Sequence, residues 1–80
     1  MTRIRLHYYA LFREQAGRHA ETVDTEARTA AELYAELARR HGFKLPLSQL
    51  KVAVNSAFSD WGYALRDDDE VVFMPPVAGG

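Results

Sequence analysis

Apolar and polar residues alternate from Arg3 to Tyr9, with Ile4, Leu6 and Tyr8 on one side and Arg3, Arg5 and His7 on the other. A period of two is that of a strand with one buried face, so RIRLHYY predicts the first strand. The next segment, ALFREQAG, is too short for an independent helix, but its Gly17 is suited to close a helical turn in the left-handed conformation. One or two turns leading into a reversal are expected there, and HAETVDT then reads as a second strand returning beside the first. At Ala30 the period changes. Ala30, Leu33, Tyr34, Leu37, Ala38 and His41 follow the i, i+3, i+4, i+7 spacing of an apolar helical stripe, and Glu32, Glu36, Arg39 and Arg40 fall largely outside it. Thr29 and Glu32 have the spacing of a capping box and Gly42 supplies a stop, which predicts the main helix from about Ala30 to about His41. FKLPLSQL reads as a loop around Pro46, KVAV as a short strand with Val52 and Val54 on one face, and DDDEVVFM as a turn into a last strand. The order is two strands, a helix, and two more strands, but pattern alone does not fix the order of strands in the sheet.

Composition narrows the function classes. Eighty residues, 48% of them hydrophobic, make one small domain and leave no room for a second. There is no cysteine, so disulfides, a catalytic thiolate and metal ligation by sulfur are excluded. A net charge of -1 argues against binding a nucleic acid backbone. Arg3, Arg5, Arg13 and Glu14 interrupt the start, so it lacks the apolar core of a secretory signal, and no run approaches membrane-spanning length. A cytoplasmic protein with neither nucleic acid nor membrane as partner is expected. His7, His19 and His41 lack paired spacing, and the acidic run Asp67 to Glu70 lacks the spaced ligands of a calcium loop, so the expectation is a solvated turn and no metal. Ser48, Ser56 and Ser59 sit in no nucleophile motif, and Trp61 and Tyr63 read as partial core or a loop lid.

The ending VVFMPPVAGG is different in kind. Pro75 and Pro76 cannot donate ladder hydrogen bonds, so they end the strand and favour an extended continuation. Residues 75–80 then form a tail that reaches roughly 20 Å at about 3.3 Å per residue, enough to enter a neighbouring protein's pocket. Gly79 and Gly80 have no side chains and fit a channel only as wide as backbone, with an unhindered carboxylate at the tip.

The segments RIRLHYYALFREQAG, VAVN and DDDEVVFMPPVAGG together make the chain resemble the small subunit of molybdopterin synthase, the MoaD family of ubiquitin-like sulfur carriers. The likeness spans most of the chain and is most specific at PPVAGG. It implies an α+β, ubiquitin-like β-grasp fold: a mixed sheet with one main helix packed across it, residues 1–74 forming the domain and 75–80 the tail, and the last strand pairing centrally beside the first. It further implies that Gly80 is joined to AMP, with ATP as the source, by a MoeB-like adenylyltransferase. A sulfur donor protein then converts it to a thiocarboxylate. The tail would insert into a MoaE-like large subunit, in a heterotetramer of two small and two large subunits, and give its sulfur to cyclic pyranopterin monophosphate (precursor Z). Two such carriers complete the dithiolene of molybdopterin. On this reading the chain is a reactant rather than a catalyst and binds no cofactor. Gly80 is the reactive position, Gly79 gives access, and Pro75, Pro76, Val77 and Ala78 set the tail's path. Tyr9, Phe58 and Met74 match the family's apolar docking face. The chain departs from the family at Asp67, Asp68, Asp69 and Glu70, where the family commonly has Asp-Gly-Asp-Glu. Three other readings remain open: a ubiquitin-like modifier joined to lysines through its diglycine, a ThiS-like carrier for thiamin thiazole synthesis, and a plain interaction module with an idle tail.

Overall fold

The computed structural model describes residues 1–75. Five strands and two helices follow in the order β1 (Thr2–His7), α1 (Ala10–Ala16), β2 (Ala20–Thr25), α2 (Ala30–His41), β3 (Lys51–Val54), β4 (Ala57–Ser59) and β5 (Asp69–Met74), with a single 3-10 turn at Leu47–Gln49. The sheet order is β2-β1-β5-β3-β4. The last strand therefore enters the middle of the sheet, parallel to β1 and antiparallel to β3, as expected. The strand β4 was not anticipated. It is three residues long and pairs back onto β3 through a tight turn at Asn55 and Ser56, both with positive φ (52° and 71°).

Alternation places Ile4 and Leu6 of β1, Val52 and Val54 of β3, and Val71 and Phe73 of β5 on the face covered by α2, all of them buried. The helix contributes Ala30, Leu33, Tyr34 and Leu37 to the same core. Four apolar positions at helical spacing hold the helix on the sheet by removing hydrocarbon from water, roughly 1.5–3 kcal/mol for each fully buried large side chain. Phe12 of α1 fills the space beside them, with its ring 4.8 Å from that of Phe43, and Trp61 stacks on Phe73 at 5.9 Å. Trp61 and Tyr63 are partly buried against this core, in line with their expected role.

Both helices end where glycine permits. Gly17 and Gly42 adopt φ of 75° and 78°, and each donates its amide to the carbonyl four residues back, at Arg13 and Ala38. The start of α2 departs slightly from the expected capping box. The Thr29 hydroxyl accepts from the Glu32 amide at 3.2 Å, but the Glu32 carboxylate accepts from the Arg28 amide at 2.7 Å, one residue before the cap. Two amides near the helix start are still satisfied by these two side chains.

Candidate functional site

The uncovered face of the sheet is built by the other residue of each alternating pair. Register aligns His7 with Val72, Val72 with Ala53, and Ala53 with Phe58, so one row of side chains crosses four strands on this face. Met74 lies on it next to Lys51. Phe58 is 74% exposed and Tyr9 54% exposed. An exposed phenylalanine in a short edge strand adds nothing to the core, so Phe58 belongs to the surface. Met74 is half-buried, and its partners on the inward side of β5 are Asp69, Val71 and Phe73, so it too faces outward.

Phe58, Met74 and Pro75 line one groove of about 670 Å³, together with Ser48, Gln49, Leu50 and Lys51. The 3-10 turn forms one wall and the exposed sheet face the other. Tyr9 is not part of that groove. It lies just beyond β1, where it is the N-terminal cap residue of α1 in extended conformation. The parallel register of β1 with β5, carried two residues past His7 and Val72, brings Tyr9 level with Met74. Two of the three expected docking residues thus meet in the groove beside Pro75, and the third flanks the same end of the sheet. Pro75 is half-buried against this groove. Pro76, Val77, Ala78, Gly79 and Gly80 lie outside the described residues.

Two polar clusters brace the strands that lead here, and neither was visible in the sequence. The Asp69 carboxylate, buried at the start of β5, accepts from Asn55 Nδ2 at 2.8 Å, the Tyr63 hydroxyl at 3.0 Å and the Arg66 amide at 2.9 Å. Burial pushes its pKa up, but these donors and the Arg66 charge outweigh burial and hold it below the ordinary carboxylate value. The hydrogen bond that Asp69 accepts in turn pushes the Tyr63 hydroxyl up. At the other end of the sheet, Glu21 Oε2 accepts from the Tyr8 hydroxyl at 2.5 Å and lies 2.7 Å from His41 Nε2. Burial raises the Glu21 pKa, while the bonds to Tyr8 and His41 and the charges of His41 and Arg18 lower it by more. Tyr8, desolvated and bonded to that carboxylate, is shifted strongly upward. These groups are spent on each other. His7 pairs with Glu70 at 3.1 Å and His41 with Glu21, so the histidines go to separate partners. Among the described residues no group of three or more histidines and carboxylates is placed to hold a metal ion, and no helix is long and apolar enough to cross a membrane.

A mixed five-stranded sheet with its last strand in the middle, one long helix across one face, and a carboxy-terminal strand leading out beside an apolar groove define a ubiquitin-like β-grasp domain. The chain belongs to the ThiS family, which it matches over residues 6–80. It is 34% identical to the molybdopterin synthase sulfur carrier subunit of Escherichia coli strain K12, over 96% of this chain and 99% of that relative. Among solved structures it is similar to a Pyrococcus furiosus protein described as subunit 1 of the molybdopterin converting factor, with a TM-score of 0.79, 26% identity and coverage of 96% of this chain and 100% of that one. Small archaeal modifier protein 1 of Haloferax volcanii superposes equally well, with a TM-score of 0.79 at 22% identity, covering 96% of this chain and 100% of that one, which speaks to the fold alone. So does the complex of subunits 1 and 2 of the molybdopterin-converting factor from Helicobacter pylori, in which the similar chain has a TM-score of 0.68 at 24% identity, with 99% and 100% covered.

Proposed function

We propose that this chain is the sulfur carrier subunit of molybdopterin synthase and works in the cytoplasm. The observation that carries the reading is the 34% identity to the E. coli sulfur carrier subunit across 99% of that protein, together with an ending in Pro-Pro and Gly-Gly. The family match by itself does not separate this role from sulfur delivery for thiamin, and the fold does not separate it from protein modification. The curated relative does favour the molybdopterin role.

The chemistry runs through Gly80. Its carboxylate oxygen attacks the α-phosphorus of ATP on a MoeB-like adenylyltransferase and pyrophosphate leaves, giving an acyl-adenylate. The terminal sulfur of a persulfide on the sulfur donor protein displaces AMP to give an acyl disulfide, and a thiol reductant cleaves the S–S bond, freeing the donor's thiol and leaving the terminus as a thiocarboxylate. That sulfur then adds to cyclic pyranopterin monophosphate inside the large subunit. The domain's part is presentation: a rigid sheet ending at Met74, a groove with Phe58 for the partner's apolar side chains, and a tail of small residues, Val77, Ala78, Gly79 and Gly80, that fits a narrow channel. Proton transfer belongs to residues of the partner. A complex of subunits 1 and 2 formed by a protein of the same fold supports a large-subunit partner here.

Intact-mass analysis of the protein isolated from its own host tests the reading. Exchange of one terminal oxygen for sulfur adds about 16 Da. A species heavier by that amount, with the change mapped to Gly80, is expected; adducts linking Gly80 to lysines of other proteins, with no sulfur on the terminus, would assign the chain as a modifier.

A further inference from the structure

The end of the domain from which the tail departs is basic, and the far end is acidic. The strands β1 and β5 run parallel, and Met74 stands opposite Lys51 at the start of β3. The carboxy-terminal end of α2 lies at this same end, since the His41 ring contacts Tyr8 and Phe43 with centroids 5.7 and 5.4 Å apart. Arg39 in the last turn of α2, Lys44 just after it, Arg13 in the last turn of α1 and Lys51 are therefore gathered towards the tail's point of departure. All four are exposed, and among the described residues none has a carboxylate within ion-pair distance. By contrast Asp24, Glu26, Glu32, Asp67 and Asp68 outnumber Arg3, Arg28 and Arg66 where β1, α2 and β5 begin and β2 ends. The net charge is only -1, so the separation of charge, rather than its sum, is what an approaching protein senses.

We infer that this basic end docks against an acidic surface around the mouth of the pocket that receives the tail, and that it serves to orient the domain tail-first during encounter. Lys51 lines the groove with Phe58, Met74 and Pro75, which makes the charged surface continuous with the apolar one. Exposed charges at an interface rim act mainly on the association rate, whereas buried apolar contacts set the dissociation rate. The two surfaces thus divide the work: charge brings the tail to the mouth, and the groove holds it there. The inference rests on the large subunit being the partner.

The test is the association rate of the full chain with the molybdopterin synthase large subunit from the same genome, followed from about 0.05 M to about 0.5 M salt, a range over which screening between exposed charges becomes nearly complete. A tail-end variant, Arg39→Glu with Lys44→Glu, is compared with a far-end variant, Arg28→Glu with Arg66→Glu, which changes the net charge equally. All four side chains are exposed and form no ion pair among the described residues, but the Arg66 charge acts on Asp69, so circular dichroism of each variant is compared first, and Arg39→Glu alone against Arg28→Glu alone gives the same comparison if the Arg66 change unfolds the domain. The tail-end variant is expected to associate about tenfold more slowly at low salt and to lose the salt dependence, with its dissociation rate within about twofold of the unsubstituted chain. The far-end variant should match the unsubstituted chain within about twofold. Equal slowing by both pairs, or no slowing by the tail-end pair, overturns the inference while leaving the proposed function standing. An unsubstituted chain that does not bind the large subunit overturns both.

Discussion

Asp69, the first residue of β5, accepts a hydrogen bond of 2.8 Å from the side-chain Nδ2 of Asn55 in the turn between β3 and β4. The Asn55 side-chain oxygen accepts from the Glu70 backbone N–H at 2.9 Å, and the Asn55 backbone N–H donates to the Glu70 carbonyl, so the hairpin and the central strand are pinned together at one point. Asp69→Ala strands three donors, two of them on side chains. A loss of about 1.5–3 kcal/mol in urea unfolding is expected, the worth of hydrogen bonds to a charged group, since Asn55 and Arg66 are exposed enough for water to replace the lost acceptor. A loss under about 0.5 kcal/mol, the range of ordinary surface substitutions, would show that the network does not brace the strand.

Acid should loosen the domain through the same carboxylates. Asp69 and Glu21 are held below their ordinary values of 3.8 and 4.5 in the folded chain, so each releases its proton more readily when folded than when unfolded. Their stabilising contribution is therefore complete above those ordinary values and is lost as pH falls through the lower, folded values. The unfolding free energy should drop steeply below about pH 4, and Glu21→Gln should flatten part of that drop. An unchanged slope in the variant would show that Glu21 titrates alike in both states.

Leu37, fully buried beneath α2, is expected to lose about 2 to 5 kcal/mol on replacement by alanine. Chemical denaturation reads this directly, and a change below about 0.5 kcal/mol would mean that the helix face is misplaced.

The helix was legible because its apolar period runs for three turns between a threonine cap and a glycine stop. The first and last strands were legible because alternation gives Ile4 and Leu6, then Val71 and Phe73, to one face. The strand β4 was not, since three residues carry too little periodicity and the Asn55–Ser56 turn lacks the glycine that makes a two-residue hairpin conspicuous. The departure at Asp68 did find its reason: its φ of 68° is left-handed, a conformation that aspartate tolerates at some cost in place of glycine. Asp69 was the larger surprise. The run of aspartates reads as solvated turn, and only the tertiary fold brings Asn55 and Tyr63 to its carboxylate. Tyr9 was read as the end of a strand, but the strand stops at His7 and Tyr9 opens a helix. Its exposure was foreseen; its element was not.

On the proposed docking face, Phe58→Asp should weaken binding of the proposed large subunit at least about tenfold, because exposed aromatics in a groove are frequent anchors of interfaces. With the side chain in solvent, circular dichroism and melting should stay as they are. A collapse of folding would assign Phe58 to the core after all, and unchanged affinity would remove the groove from the interface.

On the proposed function, the position of the terminal carboxylate matters as much as its chemistry. Removal of Gly80 would draw the carboxylate proposed to react back by about 3.3 Å, and a misplacement of even about 1 Å can cost on the order of a hundredfold in rate. The shortened chain is expected to fold, to bind the large subunit and to yield no molybdopterin.

The most direct test uses the full chain prepared chemically as its Gly80 thiocarboxylate. Mixed with the large subunit and cyclic pyranopterin monophosphate, without ATP, adenylyltransferase or sulfur donor, it should form molybdopterin and return Gly80 as an ordinary carboxylate, with two chains consumed per molecule of product. No molybdopterin from the authentic thiocarboxylate, with a large subunit shown to be active towards another carrier, would contradict the claim that this chain carries the sulfur.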